Sequence, residues 1–540
     1  MYIKNLIKND YKMWKGGDSI FIKAPTGTGK TTFVLNQLLE EAKKDGREVL
    51  YLNNRFLLKE QVKSKVMQMQ GLTGIESKIV EKTSEFDGIT ILSYQELQEY
   101  VEHNKDNKYK SERYRYVVFD EIHYLLEDAL FNPKIIYLLD FIKHVGQTKI
   151  FMSATLDEVE EFMLDEGIVG EILWKTEEIV RDNVFRYHIN KCLEQILPGN
   201  CCLWKYDIQR KNQGIKTYYF EEMEEVVDEI NRSEDKFLIF VNNKEKAKQW
   251  KEKIHRKVAY ISADCKSEEV LRQVINKEKF NADVLLTTKI LDNGVNFIDK
   301  SLKGVVLNTV SKTEFIQMLG RKRLQSGEEI DLFIPIQSVN FFNGLINMNI
   351  QKSLAKIEQI KYSDDFLNEL LENTELFNVA RKFFIFDNKV PKVNICAVRK
   401  LENQKKELIK MKSEREEDKY AFIKEQLKWL DLDDDFDLDN DLSLRRIKRS
   451  KEKLFRFLEN NVDCFMDKIQ QKEFSNKLMK LFIEAKYVES SCTSCGKNKI
   501  NKTFKECELP FEIVSKKGQR KGEQSLWILR KREVEYGLSC

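Results

Sequence analysis

Residues 24–31 read Ala-Pro-Thr-Gly-Thr-Gly-Lys-Thr, directly after the apolar run Ile20–Ile22 and directly before a leucine-rich helical stretch. A strand, a glycine loop and a helix in that order build a cup of inward-turned N–H groups at the positive end of the helix, where phosphate oxygens are held. Ala24, Pro25, Thr26, Gly27, Thr28, Gly29, Lys30, Thr31 and Thr32 are therefore the candidate nucleotide site. Gly27 and Gly29 free the backbone to turn, Lys30 is spaced to reach the β- and γ-phosphates, and the Thr31 hydroxyl is placed to hold Mg²⁺. ATP and Mg²⁺ are the implied cofactors. Ala24 stands where the strict pattern has Gly, so Pro25 and Thr26 must form the turn behind an ordinary residue.

A second constellation fits the first. Tyr116-Val117-Val118-Phe119 reads as a buried strand that delivers Asp120-Glu121-Ile122-His123 at its carboxyl end. Asp120 would orient the Mg²⁺ shared with Thr31, and Glu121 would polarise the water that attacks the γ-phosphate. Asp-Glu alone is more often a solvated strand-to-helix turn; paired with the phosphate loop it reads as a metal site.

Length and periodicity ask for more than one core, since 540 residues exceed what one core usually organises. The first half alternates short apolar strands (Ile20–Ile22, Val49–Leu52, Ile89–Leu92, Tyr116–Phe119, Ile150–Met152) with amphipathic helices such as Thr31–Lys44. A second series, Phe237–Phe240, Val258–Ile261, Val284–Thr287, Val305–Leu307 and Leu332–Ile336, repeats the pattern. Such runs belong to parallel sheets covered on both faces. The expected architecture is α/β: two tandem parallel-sheet P-loop domains, residues 1–175 and 176–340, then a mainly helical region, 341–540. Residues 175–235, with Pro198-Gly199-Asn200 and the strand-like KTYYF, read as a connector plus the opening edge of the second domain.

With these residues in place the chain resembles a superfamily 2 nucleic-acid helicase or translocase with a DExH box, over roughly residues 18–336. LNNRFLLKEQ (52–61) and ILSYQEL (91–97) resemble motifs that grip the nucleic-acid backbone, implying contacts from Asn54, Arg55, Gln61 and Ser93. Ser153-Ala154-Thr155 matches the motif that couples hydrolysis to domain movement, which implies coupling roles for Ser153, Thr155 and His123. FLIFVNN (237–243), LLTTKILDNGVNF (285–297) and QMLGRKR (317–323) resemble motifs four, five and six. Those imply nucleic-acid contact at Thr288, nucleotide contact at Gly294 and Asn296, and catalytic roles for Gln317, Arg321 and Arg323. The second arginine lies two positions after the first rather than the family's three, so either is open as the finger. Asn296 stands where many relatives have Asp, so its pairing with an arginine would be a neutral hydrogen bond.

The last third is charged and short of glycine and proline. Residues 397–429 read as one long solvated helix, and LDLDDDFDLDND (430–441) as a linker, since it lacks the Gly and Glu of a calcium loop. Beyond it, Arg445, Arg446, Lys448, Arg449, Lys451, Lys453 and Arg456 form a basic block. FEIVSKKGQRKGEQSLWILRKR (511–532) reads as two strands around a basic turn, preceded by helix-like Lys472–Ala485; that order resembles a winged-helix nucleic-acid module, against a solvated hairpin. The whole chain carries only +3, so any electrostatic grip must come from patches.

Ten cysteines without a secreted-style framework, and no apolar stretch long enough to span a bilayer, suggest a reducing cytoplasm and no membrane partner. Cys492, Cys495 and Cys507 are half a zinc ribbon with a third ligand; none of the five histidines lies past His255, so Cys464 or Cys540 would have to complete it, against reduced surface thiols. The sequence thus predicts an ATP-driven motor on DNA or RNA, with the C-terminal region open to a protein partner. The rival is an NTP-gated clamp, or a motor subunit of a restriction or defence assembly, that binds nucleic acid without processive unwinding.

Overall fold

A computed structural model of the chain describes residues 2–532 except 26, 55, 72–82, 105–111, 173–177, 191–200, 209–213, 243, 263–277, 289–295, 326, 362–372, 388–389, 490–495 and 517–524. Within these residues the chain divides into two compact units: 2–216 together with 234–436, and 217–233 together with 437–532.

The first unit holds both expected sheets. One runs Ile89–Ser93, Glu48–Asn53, Tyr114–Asp120, Thr148–Ser153, Ser19–Lys23 and Cys201–Asp207, all parallel neighbours. The strands alternate between two buried faces: Val117 and Phe119 enter one core, Tyr116 and Val118 the other. That two-sided burial is why they read as continuous apolar runs rather than as alternating ones. The other sheet runs Ile330–Pro335, Leu302–Val306, Lys236–Phe240, Val284–Thr287 and Val258–Ile261, again parallel. The tandem α/β architecture is the one that periodicity predicts.

Three expectations are corrected. Cys201–Asp207 is not connector or second-domain edge: it pairs with Ser19–Lys23 in the first sheet, and Val184–Asn190 adds antiparallel beside it. The reason is alternation, with Cys201 and Leu203 in one core and Trp204 and Tyr206 in the other. So the first sheet extends past residue 175. Second, residues 341–436 pack with the unit that holds both sheets rather than with the C-terminal end. Third, residues 397–429 are not one solvated helix but two helices, Ile395–Glu417 and Ala421–Lys428, broken where Asp418 accepts from Tyr420 N at 2.8 Å and Lys424 Nζ at 2.7 Å. The longer helix buries Cys396, Ala397, Lys400, Leu401, Leu408 and Met411. A stripe of lysine and glutamate hid that apolar face.

The second unit orders its elements as helix Leu442–Glu459, short strand Phe465–Met466, helices Lys468–Glu484 and Lys497–Glu506, and the antiparallel pair Phe511–Lys516 and Leu526–Lys531. Leu526–Lys531 sits centrally between the other two strands, and Leu454, Phe474, Phe482, Phe504 and Phe511 fill the core beneath. The unit boundary at Phe436 falls inside the acidic run, whose Asp441 accepts from Ser443 N and Leu444 N to cap the first helix.

Candidate active site

The phosphate loop leaves the strand Ser19–Lys23 and ends at the helix that begins at Lys30. Gly27 and Gly29 both take positive φ, +83° and +91°, which only glycine adopts without strain. Lys30 is buried and donates from Nζ to Ala24 O at 3.2 Å and to Glu121 Oε1 at 2.8 Å. One ammonium thus joins the loop to the DExH segment.

Asp120 ends the strand Tyr114–Asp120, and Glu121 turns the chain with a φ of +53°. A non-glycine residue held there is strained, and such strain gathers at functional sites. Asp120 Oδ1 accepts from Glu121 N at 3.1 Å and Ile122 N donates to Met152 O at 3.2 Å, so local bonds hold the turn. Burial and the adjacent Glu121 charge push Asp120 up to about 6, against Lys30 and the Tyr51 hydroxyl. Burial also opposes ionisation of Glu121, but the Lys30 charge and the His123 hydrogen bond outweigh it and hold this carboxyl well below its usual range.

Tyr51 is a site residue that the sequence reading missed. Fully buried in the strand Glu48–Asn53, it donates its hydroxyl to Asp120 Oδ2 and also bonds Thr31. The two predicted Mg²⁺ partners therefore converge on one phenol oxygen. A hydroxyl and a single carboxylate suit Mg²⁺, which keeps several waters and takes its other oxygens from phosphates; among the described residues no cluster of three or more His, Cys, Asp or Glu forms a metal cage. The only cue in sequence was a tyrosine inside an otherwise aliphatic strand.

From Glu121 a hydrogen-bonded chain crosses between the two sheets. Gln317, on the helix Lys312–Gly320, donates from Nε2 to His123 Nε2 at 2.6 Å, which leaves the ring proton on Nδ1. Nδ1 lies 2.9 Å from Ser153 Oγ and 3.4 Å from Glu121 Oε2, and Ser153 Oγ in turn accepts from Thr155 N at 3.1 Å.

The two arginines flank a bridge to the segment at Phe297. The helix stops at Gly320, after which Phe297 N donates to Arg321 O at 2.7 Å and Arg323 N to Phe297 O at 2.9 Å, an extended bridge. Arg321 still has helical dihedrals as the helix's C-cap, φ −67° and ψ −35°, and the bridge itself pairs Phe297 with Lys322. Lys322 donates from Nζ to Asp299 O at 2.9 Å and to Glu328 Oε2 at 3.1 Å. Arg323 Nε donates to Asn296 Oδ1 at 2.9 Å, and its guanidinium lies 3.6 Å from where a Gly27 Cβ would stand.

The matched families follow this geometry. The DEAD/DEAH box helicase model matches residues 8–162, and the helicase conserved C-terminal domain matches residues 220–323. The chain thus carries a DEAD/DEAH box helicase domain followed by a helicase C-terminal domain, consistent with a superfamily 2 helicase. It is accordingly a nucleic-acid-dependent ATPase. No curated protein matches the sequence. Among solved structures, Dbp5 of S. cerevisiae bound to RNA and ADP BeF3 is 16% identical, covering 64% of this chain and 90% of that one with a TM-score of 0.40. A DEAD box protein from the hyperthermophile Methanococcus jannaschii is 16% identical, covering 62% and 86%, with a TM-score of 0.33.

The residues expected on the strand side of this helicase are less assembled. Asn54 is buried, with its Oδ1 unpartnered among the described residues. Ser93 caps the helix Tyr94–His103 reciprocally with Glu96. Thr288 is half-buried, its N donating to Ile261 O at 3.3 Å. Gln61 falls on the helix Phe56–Met69, but its side chain, like Thr26, Arg55 and Gly294, lies outside the described residues. So do Cys492 and Cys495 of the zinc expectation, which nothing here supports, while the Cys507 thiol faces Tyr487 O at 4.0 Å. Part of the basic block is engaged inside its own unit: Arg445 stacks on Tyr218 at 5.3 Å, Arg449 pairs with Glu229 at 3.5 Å and Lys451 lies over Tyr487 at 5.0 Å. No described helix is long and apolar enough to cross a membrane.

Proposed function

We propose that this helicase is a motor that couples ATP hydrolysis to stepwise movement along a nucleic-acid strand. The observation that carries the reading is the hydrogen-bonded chain Lys30, Glu121, His123, Gln317, which joins the phosphate loop to the helix Lys312–Gly320 that leads into the arginine pair. A change at Glu121 is felt at Gln317 through one imidazole, so the site can link the state of the γ-phosphate to the approach of the second domain.

Residue roles follow from position. Gly27, Thr28 and Gly29 cradle phosphate with backbone N–H groups, beside Pro25, Thr26 and Thr32, and Lys30 neutralises its charge. Thr31 and Asp120, oriented by Tyr51, would hold Mg²⁺, which when bound draws charge from the phosphate oxygens. Glu121, ionised and fixed by Lys30 and His123, accepts a proton from the attacking water. Arg323, held by Asn296 over the phosphate loop, is the finger, with Arg321 supporting it; such a group accounts for about 10³ to 10⁵ in rate. Ser153 and Thr155 relay the state of Glu121 through His123. Asn54, Arg55, Gln61, Ser93 and Thr288 line the strand path, and the C-terminal unit, whose helix, strand, helix, helix and hairpin order is that of a winged helix, adds phosphate contacts.

Turnover measured on single- and double-stranded DNA and RNA of increasing length tests this. A motor gives a rate that climbs with strand length and then levels, because many ATP are spent per binding event. A rate independent of length on all four substrates would replace the motor by an NTP-gated clamp. Contacts to phosphate do not distinguish sugars, so the preferred strand is read from the same series.

A further inference from the structure

The two helices that the sequence presented as a solvated charge run are built into the motor, and at one end they grip it through a buried lysine. Lys400 is 2% exposed and donates to Glu127 Oε1 at 2.7 Å and Glu158 Oε2 at 3.1 Å. Neither carboxylate sits at random. Glu127 closes the short helix Tyr124–Glu127 that follows the DExH box, and its backbone N donates to His123 O at 3.0 Å. Glu158 is in the first turn of the helix Asp157–Asp165, three residues after Thr155. A single ammonium therefore ties together the segments that leave the two motifs meeting at His123 and Ser153. Burial works against that charge, but the two carboxylates outweigh it and hold the lysine above its usual range. Asn394 adds a second tie, donating from Nδ2 to Ala129 O at 3.0 Å.

At the other end the same helices hold the second sheet's side of the motor. Arg415 Nε donates to Gln337 O at 2.7 Å, and Gln426 Nε2 to Thr309 O at 3.3 Å. Trp429 packs edge-on against Phe315 with ring centres 5.5 Å apart, on the helix that carries Gln317. Phe422 joins Trp429 to Phe342 in the intervening core.

We propose that Ile395–Glu417 and Ala421–Lys428 form a coupler between the two motor domains, and that Lys400 is a positioning residue for hydrolysis, fixing His123 and Ser153 through Glu127 and Glu158. This rests on the motor reading of those two residues. Lys400 touches no reacting atom; it sets where the relay stands when strand binding brings the second domain in.

Removing one partner of a buried charge cluster can unfold a protein, whereas removing all its charges together is often tolerated. The test therefore compares Lys400→Met, Lys400→Arg and the triple variant Lys400→Met with Glu127→Gln and Glu158→Gln, all in the full chain. The expected result is that the triple variant melts within a few degrees of the parent, keeps its KM for ATP within about threefold, and loses about tenfold in strand-stimulated kcat. Lys400→Arg, which restores the charge, should recover most of that loss. Trp429→Ala should lower the same kcat and combine with the triple variant less than additively, as sites joined by one element do. A folded triple variant with parent-like stimulated kcat overturns the positioning role, and full additivity with Trp429→Ala overturns the coupler. Amide exchange over residues 124–127 and 157–165 should rise in the triple variant whatever the parent's turnover, so failure of this inference is distinguishable from failure of the motor reading.

Discussion

The nucleotide side and the strand side of this helicase differ in how completely their residues are assembled. On the nucleotide side Lys30, Glu121, His123, Ser153 and Gln317 touch one another in a continuous chain, and Tyr51 joins Asp120 to Thr31. Of the residues proposed for the strand side, Asn54 is buried and Ser93 is spent on a helix cap. The difference teaches where each kind of grip is stored. A phosphate cup is local: a few consecutive residues with positive φ make it, and no partner has to be in place. A grip on a long flexible polymer is distributed over many weak contacts, none of which has to be preformed.

That contrast predicts large single-residue effects on one side and small cumulative effects on the other. The largest is Lys30→Ala, which should abolish turnover and weaken nucleotide binding together, since the residue pairs with Glu121 and is proposed to face the phosphates; binding of a fluorescent nucleotide beside a phosphate-release assay reads both. Glu121→Gln should separate them, leaving ATP bound while hydrolysis stops. A parent-like rate in that variant would remove Glu121 as the base. Next comes the arginine pair: Arg323→Ala should slow hydrolysis by about 10³, in line with a finger at the γ-phosphate, and Arg321→Ala by at least about tenfold. The reverse order would show that the bridge at Phe297 presents Arg321, not Arg323, to the phosphates.

Tyr51→Phe is the finer probe. It keeps the buried ring and removes only the hydroxyl, so the protein should stay folded while the Mg²⁺ concentration for half-maximal turnover rises about three- to tenfold. An unchanged Mg²⁺ requirement would reduce Tyr51 to packing. The smallest effect belongs to the strand side: neutralising Lys516, Lys517, Arg520 and Lys521 together should flatten the slope of log affinity against log salt by about two to four units, at roughly 0.7 to 0.9 per phosphate contact. Lys517, Arg520 and Lys521 lie outside the described residues, so this rests on sequence alone. Unchanged slope and affinity would make the hairpin solvated surface.

Most of the two α/β domains was legible in the sequence because their signals are local or periodic. Ten predicted strands of the two sheets fall within a few residues of where they form, since strands buried on both faces must be continuous apolar runs. Cys201–Asp207 was missed because Pro198-Gly199-Asn200 reads as a boundary, and nothing local says that the next strand returns to pair with Ser19–Lys23. Tyr51 was missed because one tyrosine in a strand is ordinary until Asp120 and Thr31 are brought beside it.

The sequence by itself determined the phosphate loop, the DExH segment and the order of the α/β units, because each depends on residues that are neighbours in the chain or on a repeat along it. Tertiary structure alone decided the rest. Gly27 and Arg323, His123 and Gln317, and Lys400 with Glu127 and Glu158 are far apart in sequence and meet only in the folded chain. A lysine in a run of glutamates and lysines looks like solvated surface. Only the fold shows that Lys400 is desolvated between two carboxylates, and desolvation gives a charge its positional strength.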